Sequence, residues 1–438
     1  MDHVAESPEH LSVRTVELPD EAAARALVDL LPEDEPMAWL RNGEGIVGWG
    51  VAARLVLPDE PTLGGRRFAE ARRWFSDLTE RADVVDTVGL AGCGLTAFTS
   101  FTFDRYSRGS LVVVPRVLVG RRDGRSWITT VGTREEPPPS PDIAAPDDAR
   151  PIGDLRWTQG TLGPRRWAAA VAGAVQRIRD GALDKVVLAR DTVARASGRI
   201  DVRTLLRRLT RDYADCYTYS VGGLVGSTPE LLLRRGLDPA DQGLVESLVL
   251  AGTRPRGTTP EDDEKLADEL ATSVKDSEEH RYAIDSLNET LAGFCSSLDL
   301  PAHPELLAVN NVWHLASPVR ASLRSGVSTL DVVERMHPTA AVGGTPTAGA
   351  VDLIRDLEEM DRGRYAGPVG WMDAEGRGEW GIALRCAQVE GSRARLFAGC
   401  GIVAGSDPVA ELAEADTKFR VMREALIDPR ENTPQLST

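Results

Sequence analysis

Apolar positions recur along this chain with two different periods. Phe68 to Arg81 repeats every three to four residues, which predicts a helix. Arg165 to Gly181 does the same, with Val171, Val175 and Ile178 on one face and Gly181 as its stop. Gly45 to Leu57 alternates loosely like a strand, and Ser110 to Val119 is β-branched and strand-like. Lys185 to Ala189, Leu231 to Leu233, Leu248 to Leu250, Gly378 to Val389 and Arg395 to Phe397 continue the strand pattern. Glu261 to Leu291 is a long charged helical stretch with a break near Ser273. Pro408 to Ile427 is the last helix, with Asp407 as its N-cap and Pro408 at the first helical position. Helices in runs and strands of mixed spacing predict an α+β fold rather than regular βαβ winding. Glu135 to Arg150 has almost no periodicity and carries five prolines among acidic residues, so it reads as an exposed linker. The expected division is an N-terminal part of the fold over 1–134, a linker over 135–155, and a region 156–438 that holds the candidate chemistry.

Composition narrows the function. The 438 residues allow a large buried core, and a formal net charge of −16 argues against broad nucleic-acid binding. No apolar run reaches 18 residues, so no membrane span is expected. Met1 to Asp20 is polar and acidic, without the pattern of a signal peptide. Five scattered cysteines without a CxxC pair argue against a disulfide framework or a structural zinc site. The chain reads as cytoplasmic. Among its 51 basic residues only Lys185, Lys265, Lys275 and Lys418 are lysines, so each lysine position is worth reading singly.

Several segments carry candidate chemistry. Gly399 to Gly405 has GxGxxxG spacing, one residue too long for a dinucleotide fingerprint. It reads as a tight strand-to-helix turn whose backbone amides suit a carboxylate, because Glu411 and Glu414 behind it repel a bare pyrophosphate. Glu411, Glu414 and Lys418 share one helix face, as do Lys275 and Glu279. A solvated salt-bridged surface is the plain reading of each. Two such helices facing each other would offer hard oxygen ligands suited to Mg²⁺. Glu230 precedes an apolar strand, where burial would raise its pKa and make it a general acid. Lys185 begins another apolar strand, and Arg385 sits in the apolar stretch Ile382 to Arg385, where it needs an anionic partner. His314 and His337 read singly as hydrogen-bonded core residues. No nucleophile elbow, P-loop or HExxH motif is present.

Taken in order, these segments resemble the chorismate-utilising enzymes, the group of isochorismate, anthranilate, salicylate and aminodeoxychorismate synthases. The matching stretches are DKVVLAR (184–190), STPELLLR (227–234), LAGTRPRG (250–257), SVKDSEEH (273–280), HLAS (314–317), HPTAAVGGTP (337–346), RYAGPVGW (364–371), IALRCA (382–387) and AGCGIVAGSDPVAELAEADTK (398–418). Thr228 before Pro229 and Ser277 are small departures, and the N-terminal third matches only around Ala97 to Val114. The resemblance implies large antiparallel sheets forming a core sandwich flanked by helices, with 156–438 as the catalytic, chorismate-binding region.

Within that group the residues point to isochorismate synthase. Lys185 stands where water-adding members carry a base and anthranilate synthases have glutamine. Ala251 replaces the lysine typical of aminodeoxychorismate synthases, and Ala341 replaces the threonine of pyruvate-eliminating members. By resemblance, Lys185 activates water at C2, and Glu230 protonates the departing C4 hydroxyl. Glu279 and Glu414 hold Mg²⁺, with Glu411 nearby through water. Tyr365 and Arg385 grip the enolpyruvyl carboxylate with the amides of Gly399 and Gly401. Gly252, Thr253, Ala341 and Lys418 are further substrate contacts, and His314 lies near the ring. A base lysine must be neutral when it accepts a proton, so Lys185 is expected to be desolvated. The implied partners are chorismate and isochorismate alone, acted on by a monomer without an amidotransferase subunit, nucleic acid or membrane. Menaquinone and siderophore biosynthesis are both compatible destinations. The rival readings are a salicylate synthase with added lyase activity, anthranilate synthase component I, and a non-catalytic chorismate-binding protein.

Overall fold

The computed structural model describes residues 4–6, 8–133, 147–236, 243–309 and 312–427, with the side chains of Val4, Ala5, Glu6, Ala251, Thr253, Lys275, Glu279 and Val309 outside that set. The expected linker falls largely on 134–146, outside the described residues.

Among the described residues, two sheets organise the chain, one of eleven strands and one of thirteen. Strands from both ends of the sequence build each of them. Met37–Arg41 pairs with Tyr217–Val221 in the larger sheet, and Thr96–Ser100 pairs with Pro368–Asp373 in the smaller. Pairing is antiparallel throughout, save for Leu11–Glu17 beside Ala82–Asp86. The inner faces meet over fully buried Trp39, Trp127, Trp371 and Trp380. Indoles carry an N–H that needs a partner when buried. Trp380 donates to Thr99 Oγ1, and Trp39 donates across the sandwich to Glu379. The α+β sandwich flanked by helices expected from the sequence is the fold observed.

Helices cover the outer faces. Pro164–Arg179 buries Trp167, Val171, Ala174, Val175 and Ile178, a stripe at helical spacing. It ends at Asp180, and Gly181 follows at φ +80°, the left-handed stop that glycine supplies without strain. The long charged stretch is two helices, Pro260–Ala271 and Val274–Ala292, separated where the Ser273 side chain caps the Asp276 amide. Pro408–Ile427 starts as the sequence predicts, Asp407 accepting from the Val409 and Ala410 amides.

Three strands expected as continuous are each two. Gly45 to Leu57 breaks at Gly50, which has φ +64°, and Ser110 to Val119 breaks at Pro115. The third break matters most. Gly378–Ile382 lies in the smaller sheet and Cys386–Glu390 in the larger, so the chain crosses between sheets at Ala383 to Arg385. A second crossing lies beside it, where Leu224–Thr228 of the larger sheet passes through Pro229 and Glu230 into Leu231–Arg235 of the smaller. The Ile382 amide donates to Glu230 O and the Ser227 amide to Arg385 O, which ties the crossings together.

Candidate active site

Those crossings place the first two site residues. Glu230 stands at one of them, and burial pushes its carboxyl up to about 7 against the pull of Lys185, Lys418 and Arg385. These four groups, picked from distant segments, therefore share one field. Arg385 does not lie in an apolar strand as expected. It occupies the kink between sheets with φ +47°, a conformation costly for a side-chain-bearing residue and concentrated at functional sites. Its charge also acts on His314, which burial, Arg385 and Lys418 hold down to about 4, with a backbone hydrogen bond to Gly252 opposing them. His314 is thus neutral at pH 7.

Gly252 has φ +78° and forms a bulge where Leu244–Pro255 pairs with Val312–Leu323. A Cβ there would come within 3.0 Å of the Asp276 side chain, so glycine lets the Val274–Ala292 helix approach. Asp276 is buried and pairs with Arg254 at 3.0 Å. Thr253 and Glu279 fall on these elements, but their side chains lie outside the described residues.

Lys185 is the first residue of Lys185–Ala196 and is buried, 6% exposed. The strand beside it corrects the sequence reading of the glycine run. Gly399, Cys400 and Gly401 are not a strand-to-helix turn; they belong to Arg393–Ile402, paired with the lysine strand at Ala189↔Gly399 and Val187↔Gly401. The amide and carbonyl of both Val187 and Ala189 bond elsewhere, to Gly343, Arg362, Glu358 and Trp167. Antiparallel alternation then turns the backbone N–H and C=O of Gly399 and Gly401 away from the lysine strand. On that side the neighbouring Cys386–Glu390 strand has already ended, its last pair being Ala387↔Leu396. Lys418 fills part of the opening, donating to Gly399 O at 2.9 Å.

Tyr365 is buried, stacked on Phe397 with centroids 5.0 Å apart. A Cβ on Gly399 would lie 3.0 Å from its hydroxyl, which places the phenol beside the glycine amides. Ala341 lies in the loop after the Thr329–Met336 helix and lines, with Glu230, Leu248, Ala283 and Thr339, a small cavity of about 40 Å³.

Glu411 and Glu414 project from the Pro408–Ile427 helix. With Cys400 they form a cluster whose ligand atoms all lie within 4.8 Å of one another. Glu411 is buried and its Oε1 accepts from Ser406 Oγ at 2.7 Å, whereas Glu414 is half-exposed and pairs with Lys418 at 2.7 Å. Two carboxylates, one fixed by a hydroxyl, make a hard-oxygen donor set of the kind Mg²⁺ takes. The sequence reading missed Cys400, whose thiol donates to Glu411 O at 3.3 Å. Its only signal was its position between the two glycines. All five cysteines are buried free thiols.

Lys418 joins these parts: it acts on Glu230, donates to Gly399 O and pairs with Glu414 of the carboxylate cluster. Residues 32–427 match the model of the chorismate binding enzyme family. The chain belongs to that family.

Among its relatives, the isochorismate synthase MenF of Bacillus subtilis is 38% identical over 264 residues, 59% of this chain and 55% of that one. The chain thus spans little more than half the length of that curated relative. A putative isochorismate synthase MenF of Mycobacterium tuberculosis is 40% identical over 304 residues, 64% of this chain and 80% of that one. The crystal structure of a putative 2,3-dihydroxybenzoate-specific isochorismate synthase, DhbC, from Bacillus anthracis superimposes with a TM-score of 0.71 at 27% identity, covering 91% of this chain and 98% of that one. No helix among the described residues is long and apolar enough to cross a membrane.

Proposed function

We propose that this chorismate-binding enzyme is an isochorismate synthase that interconverts chorismate and isochorismate without releasing pyruvate. The observation that carries the reading is Glu230, a carboxyl raised to about 7 by burial with Lys185, Lys418 and Arg385 around it. An acid near pH 7 is well matched to donating a proton in neutral solution.

The chemistry follows from these groups. Lys185 takes a proton from a water molecule as its oxygen bonds to C2 of the ring. Glu230 gives its proton to the C4 hydroxyl, which leaves as water while the ring double bonds shift. One water enters and one leaves; Lys185 returns its proton and Glu230 regains one by exchange with solvent. Arg385, Tyr365 and the Gly399 and Gly401 amides hold the enolpyruvyl carboxylate. Gly252, Thr253, Ala341, Lys418 and neutral His314 line the ring. Glu279, Glu411 and Glu414 would hold Mg²⁺, which when bound supplies positive charge for the ring carboxylate. A dianionic substrate needs that focused charge in a protein of net charge −16. Ala341 leaves the hydroxyl of pyruvate-releasing members absent, which favours this reading over a salicylate synthase. With water as nucleophile, a cytoplasmic monomer without an amidotransferase subunit suffices.

Lys185→Gln tests the base. Turnover of chorismate is expected to fall roughly 10²–10⁴-fold, the usual worth of a positioned proton acceptor. Full turnover in that variant contradicts the assignment.

A further inference from the structure

The strand that begins with Lys185 has a gap on its outer edge. Over Lys185 and Val186 it is flanked by the short Gly344–Thr345 strand, and from Thr192 to Ala196 by Leu155–Gln159. Between them, Val187 and Ala189 turn their backbone groups outward, and no strand among the described residues meets them. Buried backbone groups need partners. Val187 N is met by Gly343 O and Ala189 O by the Trp167 indole. The other two are met by an ion pair.

Arg362 donates from Nη2 to Val187 O at 2.7 Å, and Glu358 Oε1 accepts from Ala189 N at 2.7 Å. The two side chains are joined twice, at 2.9 and 2.5 Å, and are 3% and 1% exposed. Arg362 also donates from Nη1 to Val342 O at 2.9 Å, next to Ala341, and its own carbonyl accepts from the Tyr365 amide. The guanidinium lies over the Phe103 ring at 4.2 Å. The guanidinium thus bonds the lysine strand and the Ala341 loop and lies 5.9 Å from the centre of the Tyr365 ring, while the Arg362 carbonyl holds the Tyr365 amide.

We propose that the Glu358–Arg362 pair is a splint for the site: it stands in for a missing strand and fixes Lys185, Ala341 and Tyr365 relative to one another. Both are positioning residues, not catalytic ones. Being a neutral pair, they hold the lysine strand without adding net charge beside it. A guanidinium serves two carbonyls and a carboxylate at once because its donors form a rigid fork, which an ammonium cannot copy.

The inference rests on the proposed reaction, and Arg362→Lys tests it. That variant keeps the charge balance with Glu358 and loses the fork. With chorismate and Mg²⁺, its kcat is expected to fall roughly 30-fold or more while KM stays within about threefold, because displacement by about 1 Å costs on that scale. Its pH–rate profile should change shape, which a loss of folded protein alone would not cause. Wild-type kcat in a folded Arg362→Lys protein overturns the splint, as does a fall in kcat matched by an equal rise in KM. If Arg362→Lys does not fold, the double variant Glu358→Leu/Arg362→Met replaces the pair by apolar side chains, a change cores commonly accept. Reduced kcat in that folded protein supports the proposal; wild-type kcat, or failure of both variants to fold, overturns it in favour of a purely structural pair. Lys185→Gln keeps the two readings apart. Full turnover there contradicts water activation alone, whereas wild-type kcat in Arg362→Lys beside an inactive Lys185→Gln contradicts the splint alone.

Discussion

Glu230 combines instability with function. Its folded-state pKa of about 7 lies above the ordinary value of 4.5. The folded state therefore binds its proton more tightly than the unfolded chain does, and the stability this contributes is complete below about 4.5 and is lost as pH rises through about 7. Glu230→Gln mimics the protonated form at every pH. In denaturant melts it should exceed the wild type by up to about 3 kcal/mol at pH 8, with the difference closing toward pH 4, and it should be inactive. A constant difference across that range would contradict the burial argument. The same pKa predicts that kcat/KM of the wild type falls above about pH 7 as Glu230 loses its proton. Most of this residue's role was legible, because a glutamate before an apolar strand invites burial. What the sequence does not show is its company: Lys185, Arg385 and Lys418 lie up to 188 positions away along the chain, and only the sheet crossings bring them together.

At the scale of elements, helices were more legible than strands. Caps are local, so Asp407, Ser273 and Gly181 announced their helices directly. Strand identity depends on partners. Gly399 and Gly401 look like a turn in isolation, yet the Lys185–Ala196 strand makes them part of a ladder and aims their amides. Arg385 looked like a strand residue because its neighbours are apolar, and the crossing to the other sheet was invisible. The buried Glu358 and Arg362 were missed altogether, since opposite charges four apart read as helix surface, whereas Glu358 ends its helix and Arg362 lies in the loop beyond it. The glycine ladder carries a prediction of its own. Gly399→Ala sets a methyl 3.0 Å from the Tyr365 hydroxyl and 3.1 Å from Leu188 O. It should leave the circular dichroism unchanged and raise KM for chorismate about tenfold, the scale of one impaired carboxylate contact. An unchanged KM would show that the phenol and the amides do not meet the substrate.

For the whole molecule, the excess of acid and an anionic substrate are reconciled by concentration of charge. Glu411 and Glu414 face the cluster at Cys400, while Arg385 and Lys418 flank Glu230 from the opposite crossing and the last helix. If those glutamates hold the metal, Mg²⁺ should raise the melting temperature by linkage, approaching about 2.7 kcal/mol of added stability at a hundredfold excess over its Kd. Glu414→Ala should remove that shift in calorimetry, and a full shift in the variant would place the metal elsewhere. The two-sheet architecture was foreseeable from the family resemblance more than from periodicity, because the strands that complete each sheet come from both ends of the chain. The most direct measurement is incubation of the purified protein with chorismate and Mg²⁺, followed by separation of the products. Isochorismate in equilibrium with chorismate, with no pyruvate released, is the predicted result. Stoichiometric pyruvate with salicylate, anthranilate formed in the presence of ammonia, or unchanged chorismate would contradict it.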